Sequence, residues 1–320
     1  MKRLLNTLYI TSGNRYLSLD GENVVVMEDK KEIGRIPLHN LQAIVTFGYT
    51  GASPALMGAC AQRDIELSFM SGNGRFLARV SGEEKGNVTL RKTQYRISEK
   101  KEESVKIAKN FILGKVYNAR WVLERAARDY SMRLDAELLK KKSAFLGQSM
   151  NKIRECEDAG TLLGLEGEAA SVYFSAFDEL ILQQKEDFYF HGRNKRPPLD
   201  NVNAMLSFGY SLLAGMCGGT LEAVGLDPYV GFFHTDRPGR MSLALDLMEE
   251  FRSVMVDRFV LTLINKRIMK PEYFLTKENG AVIMTEEGRK AFLSAWQGKK
   301  QDMITHPFLG EKIEWGMVPY

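Results

Sequence analysis

Residues 162–181 carry one carboxylate on the face of a predicted helix that is otherwise apolar. At about 100° per residue, Glu166 lies in the middle of an apolar stripe, with Gly164 and Gly167 beside it leaving room for another group. The apolar residues within about 60° of it are Leu162, Leu163, Ala169, Ala170, Tyr173, Phe177, Leu180 and Ile181. A carboxylate in a core is expected to become neutral, pair with a base or bind a cation. Glu166 is therefore either an inward glutamate paired with an arginine, or a catalytic or metal-binding residue.

The segment 225–252 contains a histidine in a predicted loop. His234 follows two phenylalanines and stands between predicted turns at 227–228 and 238–239. A loop histidine beside aromatic rings is either a packed, hydrogen-bonded residue or a ligand or proton carrier.

Three acids follow His234 in a predicted helix. Glu249 and Glu250 lie three and four residues after Asp246, so all three repel one another unless a cation lies among them. The alternative is that some of them face water, with Arg252 and Arg258 as counter-charges. The spacing does not distinguish Glu249 from Glu250. The core-facing stripe of this helix is predicted to consist of Leu243, Leu247, Phe251 and Val254.

Taken together, Glu166, His234 and the acids Asp246 and Glu249 form an oxygen-rich ligand set. Such a set suits Mg²⁺ or Mn²⁺, whereas zinc prefers more histidine or cysteine. In phosphodiester chemistry a divalent cation offsets transition-state charge, activates the nucleophile and stabilises the leaving oxygen. The fold must bring these segments together, because they lie far apart in the sequence.

A basic loop lies between the two clusters. Arg193, Lys195 and Arg196 precede a Pro-Pro pair and a long uncharged segment. These cations are candidate phosphate contacts, and an ordinary solvated surface loop is the alternative.

The elements that must position these residues divide into a strand-rich part and a helical part. The runs TLYI, RYLSLD, NVVVME, IGRIPL, LQAIVTFG, IELSFM and RFLARV predict short strands, and a helix is expected at 53–63. We therefore expect an α+β protein. It comprises a mostly antiparallel β domain over residues 1–90, a basic linker over 91–103 and a larger, mainly α-helical domain over 104–320, with a hairpin near residue 279.

Composition and charge restrict the class of protein. The chain has 320 residues, of which 44% are hydrophobic, which is typical of a globular protein and not of a disordered or coiled-coil one. Its net charge is +4, and residues 1–96 hold 13 basic and 9 acidic side chains. This excess fits either a polyanionic partner or an ordinary surface.

The cysteines and the apolar segments indicate a cytoplasmic protein. Only three cysteines occur, and no CxxC pair is among them, so a disulfide framework or thiolate zinc site is not expected. No signal peptide is indicated at the start. The uncharged stretch 201–221 contains Asn, Ser and Gly and has acids at its edges, which favours a buried helix over a membrane span.

Three long motifs carry a family resemblance. The segments GLEGEAASVYFSAF, RPPLDNVNAMLSFGYSLL and GLDPYVGFFHTDRPGRMSLALDLMEEFR follow the strand-rich third in that order. They closely resemble the Cas1 family, the CRISPR-associated integrases and endonucleases of spacer acquisition. The resemblance covers essentially the whole chain and is strongest to relatives from type I systems, subtype I-C among them.

The resemblance implies a specific site and assembly. It assigns Glu166, His234 and Glu249 as ligands of Mg²⁺ or Mn²⁺, with Asp246 as an accessory acid. It implies a homodimer formed through the N-terminal β domains, with two such dimers on a dimer of the small partner Cas2. That assembly would hold a short DNA duplex and join its 3′-hydroxyl ends to the CRISPR repeat by transesterification. A rival hypothesis is a non-catalytic DNA-binding scaffold that positions DNA for a partner enzyme.

Overall fold

The computed structural model describes residues 6–72, 74–82, 87–305 and 310–319. The chain forms two compact units. The first combines Met1–Lys85 with Met284–Tyr320, and the second consists of Gly86–Ile283. A strand-rich N-terminal region followed by a helical one confirms the predicted α+β class.

The first unit begins with eight strands, which include every predicted run. They are β1 (Thr7–Ile10), β2 (Arg15–Asp20), β3 (Asn23–Glu28), β4 (Lys31–Pro37), β5 (Ala43–Phe47), β6 (Gly51–Ala52), β7 (Glu66–Met70) and β8 (Phe76–Val80). They form two four-stranded sheets, with the orders β1-β5-β7-β8 and β4-β3-β2-β6. Antiparallel pairing joins β2 to β3, β3 to β4 and β7 to β8, whereas β5 pairs in parallel with both β1 and β7, and β2 with β6.

A helix explains the parallel pairing between β5 and β7. Helix α1 (Pro54–Gln62) lies between them in sequence and serves as the crossover that parallel neighbours require. Its N-cap is Ser53, whose side chain accepts a hydrogen bond from the Leu56 N–H. Side chains from both sheets and α1 form the core of this unit. They include Ile10, Leu17, Val24, Val26, Ile44, Leu56 and Leu67.

The second unit is built from helices. They are α2 (Val88–Glu99), α3 (Lys101–Asp129), α4 (Ala136–Glu155), α5 (Ala159–Phe174), α6 (Asn201–Ala223), α7 (Ser242–Phe251) and α8 (Arg258–Asn265). Strands β9 (Phe274–Thr276) and β10 (Val282–Met284) pair where the hairpin was predicted. Asn87, Asp135, Asp158 and Asp200 cap α2, α4, α5 and α6, so each of these helices starts at a residue that accepts bonds from its free N–H groups.

Two boundaries differ from those expected from the sequence. Residues 91–103 are not a linker, because they lie in α2 and the start of α3, separated only by an extended Lys100. The C-terminal residues group with the first unit and not with the helical one. Helix α9 (Glu286–Lys300) lies in this C-terminal part. Its Glu286 side chain accepts a hydrogen bond from the Ser12 hydroxyl, and its Lys300 ammonium donates one to the Thr7 hydroxyl. Strands β11 (Met303–Thr305) and β12 (Lys312–Glu314) form a final antiparallel pair.

Helix α6 contains the uncharged stretch of the sequence. By length and composition it could cross a membrane, but 67% of its most apolar window is buried in the folded chain. It packs on α7, on α8 and on the turn between them. Its apolar faces are therefore covered by protein, as in a core helix.

The turn between α7 and α8 is π-helical and spans Arg252–Asp257. A π turn inserts one residue into the helical register, so the faces of α7 do not continue into α8. The predicted stripe is only partly buried: Leu243 is buried, but Leu247, Phe251 and Val254 are half-buried. Two acids, Asp246 and Glu249, are instead among the buried residues of α7.

Candidate metal centre

Two predicted site residues meet on one ammonium group. Lys115, from the middle of α3, contacts Glu166 Oε1 on α5 through its Nζ. The same Nζ lies 2.6 Å from Glu249 Oε2 on α7. The three side chains are 15%, 17% and 5% exposed, respectively. Packing of α3 against α5 and α7 thus brings together two carboxylates that are 83 positions apart in the sequence.

Glu249 is held by a second cation. Arg252 Nη1 lies 2.6 Å from Glu249 Oε1, so each carboxylate oxygen faces one positive charge. Burial alone would raise the pKa of Glu249, but the charges of Arg252 and Lys115 outweigh it and lower the pKa to about 2. Glu249 is therefore ionised throughout the physiological range.

The neighbouring acid Glu250 has a different environment. Its side chain lies over Gly114 of α3, where a Cβ would come within 2.7 Å of Glu250 Cγ. Burial raises the pKa of Glu250, and no cation among the described residues forms an ion pair with it. The structure thus distinguishes two acids that the sequence spacing left equivalent, because only Glu249 faces Lys115.

His234 and Asp246 form a second pair. Nδ1 of His234 lies 2.7 Å from Asp246 Oδ1. Since a carboxylate only accepts hydrogen bonds, the hydrogen sits on Nδ1, and the Nε2 lone pair of the neutral ring is left for another partner. This is the tautomer that a carboxylate imposes on metal-binding histidines.

Asp246 is fully buried and holds the histidine loop. Besides the ring it accepts backbone N–H bonds from Phe232 at 2.6 Å, Phe233 at 2.9 Å and His234 at 2.8 Å. Gly231 makes this arrangement possible, because an added Cβ would lie 2.8 Å from the His234 carbonyl oxygen and 3.0 Å from Asp246 Oδ2. Both oxygens of Asp246 thus accept hydrogen bonds from the loop that contains His234, so this carboxylate orients the histidine ring.

A buried polar network lies beside Arg252. The Arg252 guanidinium stacks 4.2 Å from the ring centroid of Tyr210 on α6, and the Tyr210 hydroxyl donates to Asp257. Burial raises the pKa of Asp257 to about 6, against the opposing effects of Tyr210 and Arg252. A cleft runs along this network, and its lining includes Lys115, Ser253 and Asp257.

Glu166 lies at the edge of the buried stripe of α5 and not at its centre. Leu162, Ala169 and Tyr173 are buried, but Leu163 on the other side is 59% exposed. The helix also ends at Phe174, so the later residues of the predicted stripe do not continue it. Glu166 is paired with a base, as one of the two interpretations required, but the base is a lysine.

The basic loop divides into inward and outward cations. Arg193 donates to Asn203 Oδ1 at 2.6 Å and to Ser207 Oγ at 3.0 Å, and it lies 5.4 Å from the Tyr210 ring centroid. It therefore holds the loop on α6. Lys195 and Arg196 are exposed and form no ion pair within the described part of the chain. Burial and the charge of Arg252 lower the pKa of Lys195, while Glu249 acts in the opposite direction, which indicates that its ammonium lies near the site.

The donor chemistry fits a divalent cation, although the donors are not gathered around one point. No three His, Cys, Asp or Glu side chains in the described ranges are grouped as ligands of one ion. Two ionisable carboxylates nevertheless converge on a single positive atom, and Asp246, one helical turn before Glu249, holds the ring of His234. Oxygen donors with one imidazole nitrogen match the preferences of Mg²⁺ and Mn²⁺.

Sequence reasoning missed Lys115 and Tyr210. Lys115 follows Ile112 by three residues and precedes Ala119 by four, so it is a base on the buried side of α3. The projection at about 100° per residue that places Glu166 on an apolar face of α5 also places Lys115 on the apolar face of α3. Nothing in the sequence signals Tyr210, because buried tyrosines are common.

Comparison with known proteins places the chain. The sequence model of the family described as CRISPR associated protein Cas1 matches residues 8–298. A CRISPR-associated endonuclease Cas1 of Rhodospirillum rubrum is 50% identical over 324 aligned positions, covering 100% of this chain and 93% of the relative. A solved casposase bound to integration product has a TM-score of 0.82 at 25% identity, covering 98% of this chain and 87% of that one. A chain of a Cas6-RT-Cas1–Cas2 complex has a TM-score of 0.78 at 22% identity, covering 94% of this chain and 33% of that one.

By fold, then, the protein resembles the casposase and about a third of that larger chain. The chain belongs to the Cas1 family, as the three motifs indicated.

Proposed function

We propose that this protein is a Mg²⁺- or Mn²⁺-dependent DNA nuclease and integrase of CRISPR adaptation. It would join the 3′-hydroxyl ends of a short duplex to the CRISPR repeat by transesterification. The observation that carries this proposal is the convergence of Glu166 and Glu249 on one cationic position. Asp246, one helical turn before Glu249, also orients His234. The names of the Cas1 relative and of the casposase support the reaction class.

In the proposed site Glu166, Glu249 and His234 would hold the cation. When bound, the ion would neutralise charge on the scissile phosphate and polarise the attacking and leaving oxygens. Asp246 keeps the lone pair of His234 on Nε2, and Arg252 keeps Glu249 ionised and in place. The attacking hydroxyl belongs to DNA, so no serine or tyrosine of this chain is needed as a nucleophile.

Lys195 and Arg196 are the proposed phosphate contacts. Their charges are free among the described residues, and Lys195 lies near Glu249. We expect Lys195→Ala and Arg196→Ala each to weaken binding of duplex DNA without regard to its sequence and to reduce the salt dependence by about one counterion. Lys277→Ala, which removes an exposed charge elsewhere in the same unit, is the control.

The proposed partners are double-stranded DNA, a second copy of this chain and Cas2. The Cas6-RT-Cas1–Cas2 structure supports Cas2, and the DNA-bound casposase supports DNA. Dimerisation through the strand-rich unit is tested by sedimentation equilibrium. We also propose that the protein works in the cytoplasm, which suits its three free, buried cysteines.

The test of the catalytic assignment is strand transfer with Mn²⁺. Glu166→Gln and Glu249→Gln should lower the rate by at least 100-fold, because each replaces a charged ligand by a neutral amide. Glu168→Gln, an exposed neighbour on α5, should leave the rate unchanged. Circular dichroism and DNA affinity confirm that the variants are folded.

Wild-type protein that binds DNA but neither cleaves it nor transfers strands, with Cas2 and Mn²⁺ present, would instead favour the scaffold hypothesis. Full activity of the Glu166 variant would remove this residue from the proposed site.

A further inference from the structure

Lys115 stands where the proposed function needs a metal ion. Its ammonium contacts one oxygen of Glu166 and lies 2.6 Å from one oxygen of Glu249, the two carboxylates assigned as ligands. All three groups are at least four-fifths buried. Without a cation between them, these carboxylates would repel each other in a region of low dielectric.

We propose that Lys115 is an internal counter-ion that holds Glu166 and Glu249 together before metal binding and is displaced when a divalent cation enters. This inference rests on the proposed function, since it assigns these two carboxylates to the metal. Lys115 is thereby a positioning residue. It keeps the ligands close to each other but competes with the ion for the same oxygens.

Charge makes the two cations mutually exclusive at this point. A divalent ion bound to the same carboxylates would repel an ammonium still in contact with them. Glu249 retains a second positive partner in Arg252 on its other oxygen, so it does not need Lys115 once an ion is present. Only the oxygens that face Lys115 must change partner.

The structure provides space for the displaced side chain. The cleft beside Lys115 has apolar walls that include Val116 and Ala170, which suit the methylene chain of a lysine. Its lining residues also include Ser253, whose buried hydroxyl oxygen has no hydrogen-bond partner within the described residues. This hydroxyl oxygen is a candidate acceptor for the ammonium once it leaves the carboxylates.

The experiment measures Mn²⁺ affinity of the full-length protein by electron paramagnetic resonance of free Mn²⁺ at pH 8, without DNA. Lys115→Met removes the competing charge at nearly constant volume and should bind Mn²⁺ at least tenfold more tightly than the wild type. It should melt at a lower temperature without metal and show a larger rise in Tm on adding Mn²⁺. Lys109→Met, which removes a charge from an exposed part of the same helix, should match the wild type.

A second variant covers the case in which Lys115→Met does not fold. Lys115→Gln keeps a hydrogen-bond donor without the charge and should also bind Mn²⁺ more tightly than the wild type. If the folded variants bind Mn²⁺ with wild-type or lower affinity, the competition proposed here is refuted. Failure of the proposed function looks different: in that case wild type, Lys115→Met and Glu166→Gln would all lack a specific Mn²⁺ site.

Discussion

Replacing Asp246 by asparagine tests how the histidine loop is held. The carboxylate accepts bonds from three backbone N–H groups and from the His234 ring, two at each oxygen. An amide has one oxygen, so its NH₂ group must face two donors whichever way it is turned. Losing two hydrogen bonds to a charged acceptor, at about 1.5–3 kcal/mol each, predicts a loss of about 3–6 kcal/mol in the free energy of unfolding.

Urea unfolding followed by circular dichroism measures this loss. The slope with denaturant should stay unchanged, because the same surface is exposed on unfolding. Asp236→Asn is the matched control: this exposed residue lies in the same loop and accepts a single backbone bond, from Gly231 at 3.0 Å, which an asparagine oxygen can still accept. The control should cost no more than about 1 kcal/mol.

Metal affinity provides the second measurement on the same variant. A histidine that loses its orienting carboxylate typically binds metal about 10–100-fold more weakly. Asp246→Asn should therefore weaken Mn²⁺ binding by that factor, while Asp236→Asn should not. If Asp246→Asn is as stable as Asp236→Asn, the role assigned to the four hydrogen bonds is wrong. A stability loss with unchanged Mn²⁺ affinity would show that His234 is not a ligand.

Two further predictions concern the packing of two glycines and the pH dependence of stability. Gly231→Ala should lower the free energy of unfolding by about 1–3 kcal/mol in urea titrations, because its Cβ would press on the His234 carbonyl and on Asp246. Gly167→Ala, which meets nothing within 4 Å on an exposed helical face, should instead raise it by about 0.5–1 kcal/mol; equal effects would contradict the packing described. Asp257→Asn addresses pH dependence. With a pKa of about 6 instead of 3.8, the folded state binds the Asp257 proton more tightly than the unfolded chain does, so the contribution of Asp257 to wild-type stability should fall by about 2 kcal/mol from pH 4.5 to 7. The variant should lack this decline, and parallel pH profiles would refute the assignment.

The apolar spacing correctly marked Glu166 as an acid near a buried helix face, but it placed this residue at the centre of that face and not at its edge. Burial of one face is written into the spacing of apolar residues, so an acid near that face stands out in the sequence. The end of α5 at Phe174 and the exposure of Leu163 depend on which neighbours pack there, and spacing does not contain that information.

The acidic helix shows the opposite situation. Apolar spacing predicted that Leu247 and Phe251 face the core, yet Asp246 and Glu249 are the more deeply buried. The charge of Lys115 and the backbone N–H groups of residues 232–234 compensate their burial. These partners lie outside residues 242–257, so that segment alone does not reveal them.

The sequence by itself determined the α+β class, the strands and helices, the family and the residues worth testing, because local periodicity, capping residues and long motifs are properties of contiguous segments. The tertiary structure alone decided that Lys115 bridges Glu166 and Glu249, that Arg193 turns inward and that Glu250 faces Gly114. These contacts join helices distant in the chain. Their partners are chosen by how the helices pack and by the requirement that buried charges be neutralised.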